Sequence, residues 1–141
     1  MHHYRKTRKA YATYNAGDRK AEGCTFCKVV GTSKILRENN TMFVIANRVP
    51  YDMFEDLRVV DHLMVIPKRH AESLDDFTDE EKLDHMAVAG EYEAQGYSIY
   101  SRGTGQVNRS VKHQHTHLLK LGDKKPKFIL YAAKPHILIN K

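Results

Sequence analysis

The chain has 141 residues, which is the length of one domain with a proper hydrophobic core. Its two cysteines are too few for a disulfide framework, and it has no apolar run typical of a membrane span or signal peptide. The formal net charge is +6 with all nine histidines counted as neutral. We therefore expect a single domain in a reducing, cytoplasmic setting that does not contact a membrane.

Much of the positive charge lies at the N-terminus. Residues 1–20 hold six basic side chains against one acidic side chain, Asp18. We interpret this tail either as a solvated, flexible extension or as an arm that contacts nucleic acid, with Tyr4, Tyr11 and Tyr14 stacking on bases. The domain itself is expected over residues 21–141.

The first half of the domain predicts three strands. Ser33 to Glu38 and Thr41 to Ala46 read as a β-hairpin, because Asn39-Asn40 between them favours a turn. Val59 to Pro67 is apolar enough for a central strand, which Pro67 ends.

A helix follows. Thr78 can cap it, and Glu81, three residues later, can complete a capping box. Four residues recur at helical spacing and predict the face that packs on the sheet: Leu83, Met86, Ala87 and Gly90. Gly96 is expected to end the helix.

The remaining strands are predicted at Tyr97 to Ser101 and at His113 to Leu121. Lys127 to Ala132 and His136 to Ile139 read as a final hairpin with Pro135 near its turn. Many strands with one long helix indicate an α+β architecture with an antiparallel sheet.

The most informative pattern is the histidine repeat in the run SVKHQHTHLL, at His113, His115 and His117. Side chains on a strand alternate between faces, so the three imidazoles are expected on one face. The intervening residues are expected on the other. A line of groups that donate and accept protons near neutral pH suits a phosphate, and it also suits a metal ion.

The run resembles the H-x-H-x-H-x-x signature of the histidine triad superfamily of nucleotide hydrolases and transferases. Further segments between Cys24 and about Leu121 resemble the family in its order: CTFCKVV, FVIANRVP, HLMVIPKRH and YSIYSRGTGQ. The resemblance implies a five- or six-stranded antiparallel sheet with one long helix and short helices, in a homodimer.

The chain departs from the family pattern in three respects. Asp61 stands where members usually have glycine, and the gap from Pro50 to His62 is several residues longer than usual. The spacers Gln114 and Thr116 are more polar than typical spacers. These departures lie in regions that shape the loops beside the nucleotide and thus the choice of substrate.

The resemblance also implies catalytic roles, none of which requires a catalytic metal. His115, the middle histidine, would attack the α-phosphate and form a covalent nucleotidyl-histidine. His117 would donate to the phosphate or bridging oxygen, and Ser110 would hold the phosphate or leaving group. His113 would orient His115 through the backbone or bind a metal. Ser110 can also be read as a simple turn residue.

Five residues are candidates for nucleotide binding: Asn47, His62, Arg102, Thr104 and Gly105. Asn47 takes the position of the family's ribose-contacting residue, and glycine lets backbone N–H groups approach phosphate. Each candidate also has a purely structural interpretation. Asn47 can be a turn residue, His62 a core histidine and Arg102 an exposed side chain, and Thr104 and Gly105 can belong to a flexible loop. We expect a purine nucleotide, although the signals for individual branches of the superfamily disagree.

A structural zinc site is the second inference. Cys24 and Cys27 have the spacing of half a zinc knuckle. The resemblance to zinc-bearing relatives implies that His70 and His113 complete a Cys₂His₂ set. The alternative is a reduced thiol pair packed as small apolar groups.

The sequence therefore favours an enzyme that cleaves the α-phosphate bond of a nucleotide conjugate, whether a phosphoramidate, an adenylate or a dinucleoside polyphosphate. The alternative is a nucleotide- or nucleic-acid-binding regulatory module with little catalysis. A third interpretation makes the histidine and cysteine cluster a metal store.

Overall fold

The computed structural model describes residues 23–125, residue 127, and the backbone of residues 129–131 and 136–138. The predictions for the basic tail of residues 1–20 and for the turn at Pro135 lie outside the described residues. Within the described part, no helix is both long and apolar enough to cross a membrane.

The described chain forms an antiparallel sheet with one long helix, which confirms the predicted α+β class. Its elements in chain order are a 3₁₀ helix Cys27–Val29, β1 Ile35–Glu38, β2 Met42–Ala46, β3 Met53–Phe54, β4 Leu57–Pro67, helix α1 Asp79–Glu93, β5 Tyr97–Ser101, β6 Thr116–Leu121, β7 Ile129–Tyr131 and β8 His136–Leu138. The six-stranded sheet has the order β1-β2-β4-β6-β5, and β3 pairs with β4. The predicted final hairpin is confirmed as a separate β7–β8 pair.

The central strands are apolar on both faces because both faces of the sheet are covered. Alternate residues of β2 and β4 divide into two core clusters. One cluster, here called the helix face, includes Met42, Val44, Leu63, Val65, Phe77, Val88 and Leu118. The other, here called the histidine face, includes Phe26, Val29, Phe43, Ile45, Met64 and Ile66.

Helix α1 begins as predicted. The Thr78 side chain accepts from the Glu81 N–H at 3.2 Å, and Glu81 Oε2 accepts from the Thr78 N–H at 2.8 Å, which completes the capping box. Arg69 donates two hydrogen bonds to the Glu81 carboxylate and so pairs this buried charge.

The predicted packing face of α1 is wrong. Four residues shared the predicted face, and all four are exposed: Leu83, Met86, Ala87 and Gly90. The helix instead buries Glu81, His85, Val88 and Ala89. Glu81 and His85, the polar residues of this buried face, are hydrogen-bonded to Arg69 and Thr116, respectively. The buried face is therefore not the most apolar one, and a prediction from hydropathy selects the opposite face.

Because α1 buries the face opposite to the predicted one, substitutions on its two faces should differ in their effect on the free energy of unfolding. Val88→Ala should lower the free energy of unfolding by about 2 kcal/mol, because it removes two fully buried methyl groups from the core. Leu83→Gln should change it by less than about 0.5 kcal/mol, since Leu83 is exposed. Chemical denaturation of both variants checks this, and an equal cost for the two substitutions would contradict the described helix orientation.

The long gap between Pro50 and His62 contains a second hairpin that the sequence did not predict. β3 pairs with the start of β4 around Glu55 and Asp56, which adopt positive φ values of 50° and 60°. Asp61, the family's glycine position, accepts hydrogen bonds from the Tyr97 hydroxyl and the His62 N–H. The segment before this hairpin places Tyr51 among the histidines.

Candidate active site

The histidine repeat begins before the strand and not within it. β6 starts at Thr116, so the prediction that the strand begins at His113 is wrong. The backbone there leaves the sheet ladder because the Gln114 N–H donates to the Ala71 carbonyl at 2.7 Å. His113 and His115 therefore lie on the segment that leads into β6.

The expectation that the histidines share one face nevertheless holds for His115 and His117. His117 pairs with Met64 on the histidine face, and the rings of His115 and His117 lie 5.1 Å apart, edge to face. His62 joins them at 5.0 Å from the His117 ring. Phe26 packs edge-on against His115 at 5.2 Å. The imidazoles of His62, His113, His115 and His117 are all buried.

The orientation of His115 fixes which nitrogen can react. Its Nδ1 lies 2.9 Å from the carbonyl oxygen of His113, so Nδ1 carries the hydrogen and donates it. In the neutral ring, Nε2 then holds a lone pair. The His113 carbonyl thus fixes the orientation of the His115 ring.

His117 is held by a chain of hydrogen bonds whose direction follows from one fixed donor. The Tyr51 N–H donates to His62 Nδ1 at 3.0 Å, so neutral His62 carries its hydrogen at Nε2 and donates to His117 Nδ1 at 2.9 Å. His117 then carries its hydrogen at Nε2 and donates to the Tyr51 hydroxyl at 3.2 Å. Arg102 also donates to this hydroxyl, at 2.8 Å.

Burial is the main cause of the lowered histidine pKa values. It lowers the pKa of His113 to about 4 and that of His117 to about 2, and it also lowers the pKa of His115. The positive charge of Arg102 contributes to the lowering at His115 and His117. The rings are therefore neutral at pH 7, which is the state in which an imidazole nitrogen can act as a nucleophile.

Asn47 lies beside His62 and is anchored to its own turn. Its Oδ1 accepts from the Val49 N–H at 3.0 Å. Its Nδ2 lies 3.0 Å from Nε2 and 3.5 Å from Nδ1 of His62, and these similar distances place it over the ring face as an N–H···π contact.

The loop between β5 and β6 carries the other nucleotide candidates. Arg102 is half-buried over Tyr51 and Tyr100, whereas Thr104, Gly105 and Ser110 are exposed. Gly105 has a φ of +79°, a conformation that favours glycine. Among the described residues, no hydrogen bond joins Thr104, Gly105 or Ser110 to a histidine of the triad.

Arg109 and Gln114 organise this loop, and the sequence did not single them out for that role. Arg109 donates to the backbone carbonyls of Glu72 and Lys112 and to Gln114 Oε1 at 2.8 Å. Gln114 Nε2 donates to Ser101 Oγ at 2.8 Å. Gln114, the unusually polar spacer, is therefore a buried side chain that hydrogen-bonds to both Arg109 in the loop and Ser101 at the end of β5.

The second polar spacer has an equally specific partner. Thr116 Oγ1 lies 2.9 Å from Nε2 of His85 on α1, and both residues are buried. A buried threonine hydroxyl and a buried imidazole satisfy each other here. The polar character of Thr116, noted from the sequence, signalled this contact but could not identify His85.

Cys24, Cys27, His70 and His113 come together, as the resemblance implied, in a cluster that could hold a metal ion. One ligand atom from each lies within 4.8 Å of the others. His113 Nε2 donates to the Pro67 carbonyl at 2.9 Å, so its Nδ1 lone pair faces Cys24 Sγ at 3.3 Å and Cys27 Sγ at 3.5 Å. A carbonyl that fixes the tautomer of a ligating histidine is typical of metal sites.

Comparisons with known proteins agree with this geometry. The chain is 26% identical over 113 residues to "Protein hit" of Bacillus subtilis (strain 168), covering 70% of this chain and 71% of that protein. A solved member of the histidine triad (HIT) family from Bacillus subtilis shares 25% identity and a TM-score of 0.54, over 72% of this chain and 76% of that one. No family model matches.

Two further solved structures cover more of this chain. A HIT family hydrolase from Clostridium thermocellum has a TM-score of 0.57 and 21% identity, over 78% of this chain and 100% of that one. A histidine triad nucleotide-binding protein from Candida albicans has a TM-score of 0.53 and 20% identity, over 79% of this chain and 89% of that one.

The chain has the histidine triad fold. The resemblance predicted from SVKHQHTHLL is therefore confirmed, as are the open antiparallel sheet and its single long helix. Within that fold, the extra β3 hairpin and Tyr51 lie in the region where the sequence departs from the family pattern.

Proposed function

We propose that this protein is a histidine triad nucleotidyl hydrolase or transferase, in which His115 becomes covalently loaded with a nucleoside monophosphate. The observation that carries the proposal is the hydrogen bond from His115 Nδ1 to the His113 carbonyl, which leaves the Nε2 lone pair for attack. The similar proteins described as a HIT family hydrolase and a histidine triad nucleotide-binding protein support it.

The proposed chemistry has two displacements at the α-phosphorus. Nε2 of His115 forms a bond to phosphorus while the bond to the leaving group breaks, and the positive charge that develops on the ring is stabilised by the His113 carbonyl. Water or another acceptor then attacks the same phosphorus, the P–N bond breaks, and the nucleotide is released.

The remaining site predictions belong to this proposal. Asn47 would contact the ribose, His62 would lie near the nucleotide, and Ser110, Thr104, Gly105 and Arg102 would contact the phosphates. A purine nucleotide, a homodimer, a cytoplasmic location, the domain limits at residues 21–141 and nucleic-acid contact by the tail stay predictions.

We also propose that the metal held by Cys24, Cys27, His70 and His113 is zinc. Two thiols and two imidazoles are the donor set that zinc prefers in a closed structural site, which has no position left for substrate. When bound, zinc supplies a tie between the N-terminal segment and the catalytic segment. None of the proposed chemical steps uses it.

Product analysis and mass spectrometry test the proposed function. Incubation with an adenosine phosphoramidate, an acyl adenylate or a diadenosine polyphosphate should release AMP from at least one of them. Quenching in alkaline denaturant, which preserves phosphohistidine, should show a protein species heavier by one adenylyl group, mapped to the peptide with His115. Binding of nucleotide without AMP release from any conjugate would instead favour the regulatory binding module.

A further inference from the structure

We propose that Tyr51, backed by Arg102, is the proton donor to the leaving group, and that the enzyme therefore favours conjugates with a basic leaving group, an amine or an alcohol. This inference rests on the proposed function and names a catalytic residue for it. Tyr51 lies in the segment that departs from the family pattern, ahead of the extra hairpin.

His117 is already held by hydrogen bonds to other residues of the site. Its Nδ1 accepts from His62 Nε2 and its Nε2 donates to the Tyr51 hydroxyl, so both ring nitrogens are engaged. His117 is also buried, with only 4% of its surface exposed. A proton moving from this side of the site to a leaving group would travel through the Tyr51 hydroxyl.

The direction of the Tyr51 hydroxyl hydrogen follows from the two donors that the oxygen meets. The Tyr51 oxygen accepts one hydrogen bond from His117 at 3.2 Å and another from Arg102 at 2.8 Å. A phenolic oxygen that accepts from both must point its own hydrogen away from them. The Tyr51 ring lies 5.2 Å from the His117 ring, which lies 5.1 Å from the His115 ring, so one imidazole separates the tyrosine from the reacting centre.

The site can stabilise the phenolate that proton donation from Tyr51 creates. The Arg102 guanidinium and the His117 N–H already point at the oxygen, and its tyrosine ring packs 4.4 Å from the His62 ring. A preorganised cation and a neutral donor favour the ionised form of the hydroxyl. No rearrangement is needed at the moment of transfer.

Protons are conserved over the two displacements. When His115 Nε2 bonds to phosphorus, the bond to the leaving nitrogen or oxygen breaks, and that atom takes the proton of Tyr51. The phenolate then takes a proton from the attacking water as the P–N bond breaks. Tyr51 ends protonated and His115 ends with its Nε2 lone pair restored.

The dependence of the rate on the leaving group tests this role. We compare an adenosine phosphoramidate, whose amine must be protonated as it departs, with the p-nitrophenyl ester of AMP, whose phenolate departs without a proton. Tyr51→Phe should lower kcat for the phosphoramidate by about 100-fold and for the ester by less than about 3-fold. Arg102→Gln should lower kcat more for the phosphoramidate than for the ester, because it weakens the stabilisation of the phenolate, whereas its lost phosphate contact affects both substrates alike.

The control is Tyr92→Phe, which removes a hydroxyl on the helix face and should leave both rates unchanged. Equal losses on both substrates, or no loss on either, for Tyr51→Phe would overturn the proposal, because a packing role affects both substrates alike. If the melting temperature of Tyr51→Phe is well below that of the parent protein, the two rates of Arg102→Gln test the proposal in its place. An unmodified protein that cleaves an acyl adenylate or a diadenosine polyphosphate but neither of these two substrates would overturn this proposal alone, whereas one that cleaves none of the four would contradict the proposed function itself.

Discussion

His115→Asn should lower kcat by at least about 10⁴-fold, with nucleotide binding retained. Losing a nucleophile removes the covalent route altogether, whereas losing a proton donor costs about 10²- to 10⁴-fold. The His115 ring donates from Nδ1 to the His113 carbonyl, and an asparagine amide can replace that donor without supplying an attacking nitrogen. Steady-state release of AMP and the absence of the adenylylated species measure the effect.

Two comparisons separate loss of the nucleophile from loss of structure. His85→Gln changes a buried histidine on the helix face, bonded to Thr116, and should retain activity. His115→Gly leaves room for free imidazole, which should restore part of the turnover if the missing group is the nucleophile. Activity within about 10-fold of the parent protein in His115→Asn would reject the covalent mechanism.

Loss of the metal should have the largest effect on stability. We expect one zinc per chain by elemental analysis, and Cys24→Ser or Cys27→Ser should abolish it and lower the free energy of unfolding by more than about 3 kcal/mol. The reason is geometric, because the cluster joins the N-terminal segment, the loop after β4 and the segment before β6. Cys24 and His113 are separated by 89 residues in the chain.

The matched control is chelator treatment, measured as a change in melting temperature. A chelator should destabilise the parent protein and have no further effect on Cys24→Ser, since the variant has already lost the site. Turnover should fall with the metal, because the carbonyl of the ligand His113 also orients His115. A parent protein that contains no metal and is unaffected by the chelator would favour the reduced thiol pair.

The elements that the sequence predicted well are those whose cause is local. The β1–β2 hairpin turns where predicted, since Asn39 Oδ1 accepts from the Met42 N–H at 2.8 Å within the same turn. The capping box needs only Thr78 and Glu81, three residues apart. The buried second half of β4 follows from the continuous apolar run Leu63 to Pro67, which indicates burial on both faces.

The errors arose where distant residues override the local pattern. Helix α1 exposes Leu83 and Met86 because Arg69 and Thr116 make its polar face the buried one. β6 begins at Thr116 because Ala71, far back in the chain, takes the N–H of Gln114. None of these three partners can be identified from residues close in sequence.

The sequence by itself determined the histidine triad resemblance and the antiparallel α+β architecture, because spacing and residue type carry that information, and the resemblance implied the donor set Cys24, Cys27, His70 and His113. Only the tertiary structure decided which ring nitrogens carry hydrogen and that Tyr51 contacts His117, 66 residues away. Tautomers and long-range contacts depend on which groups meet in space, and that depends on the packing of the whole sheet.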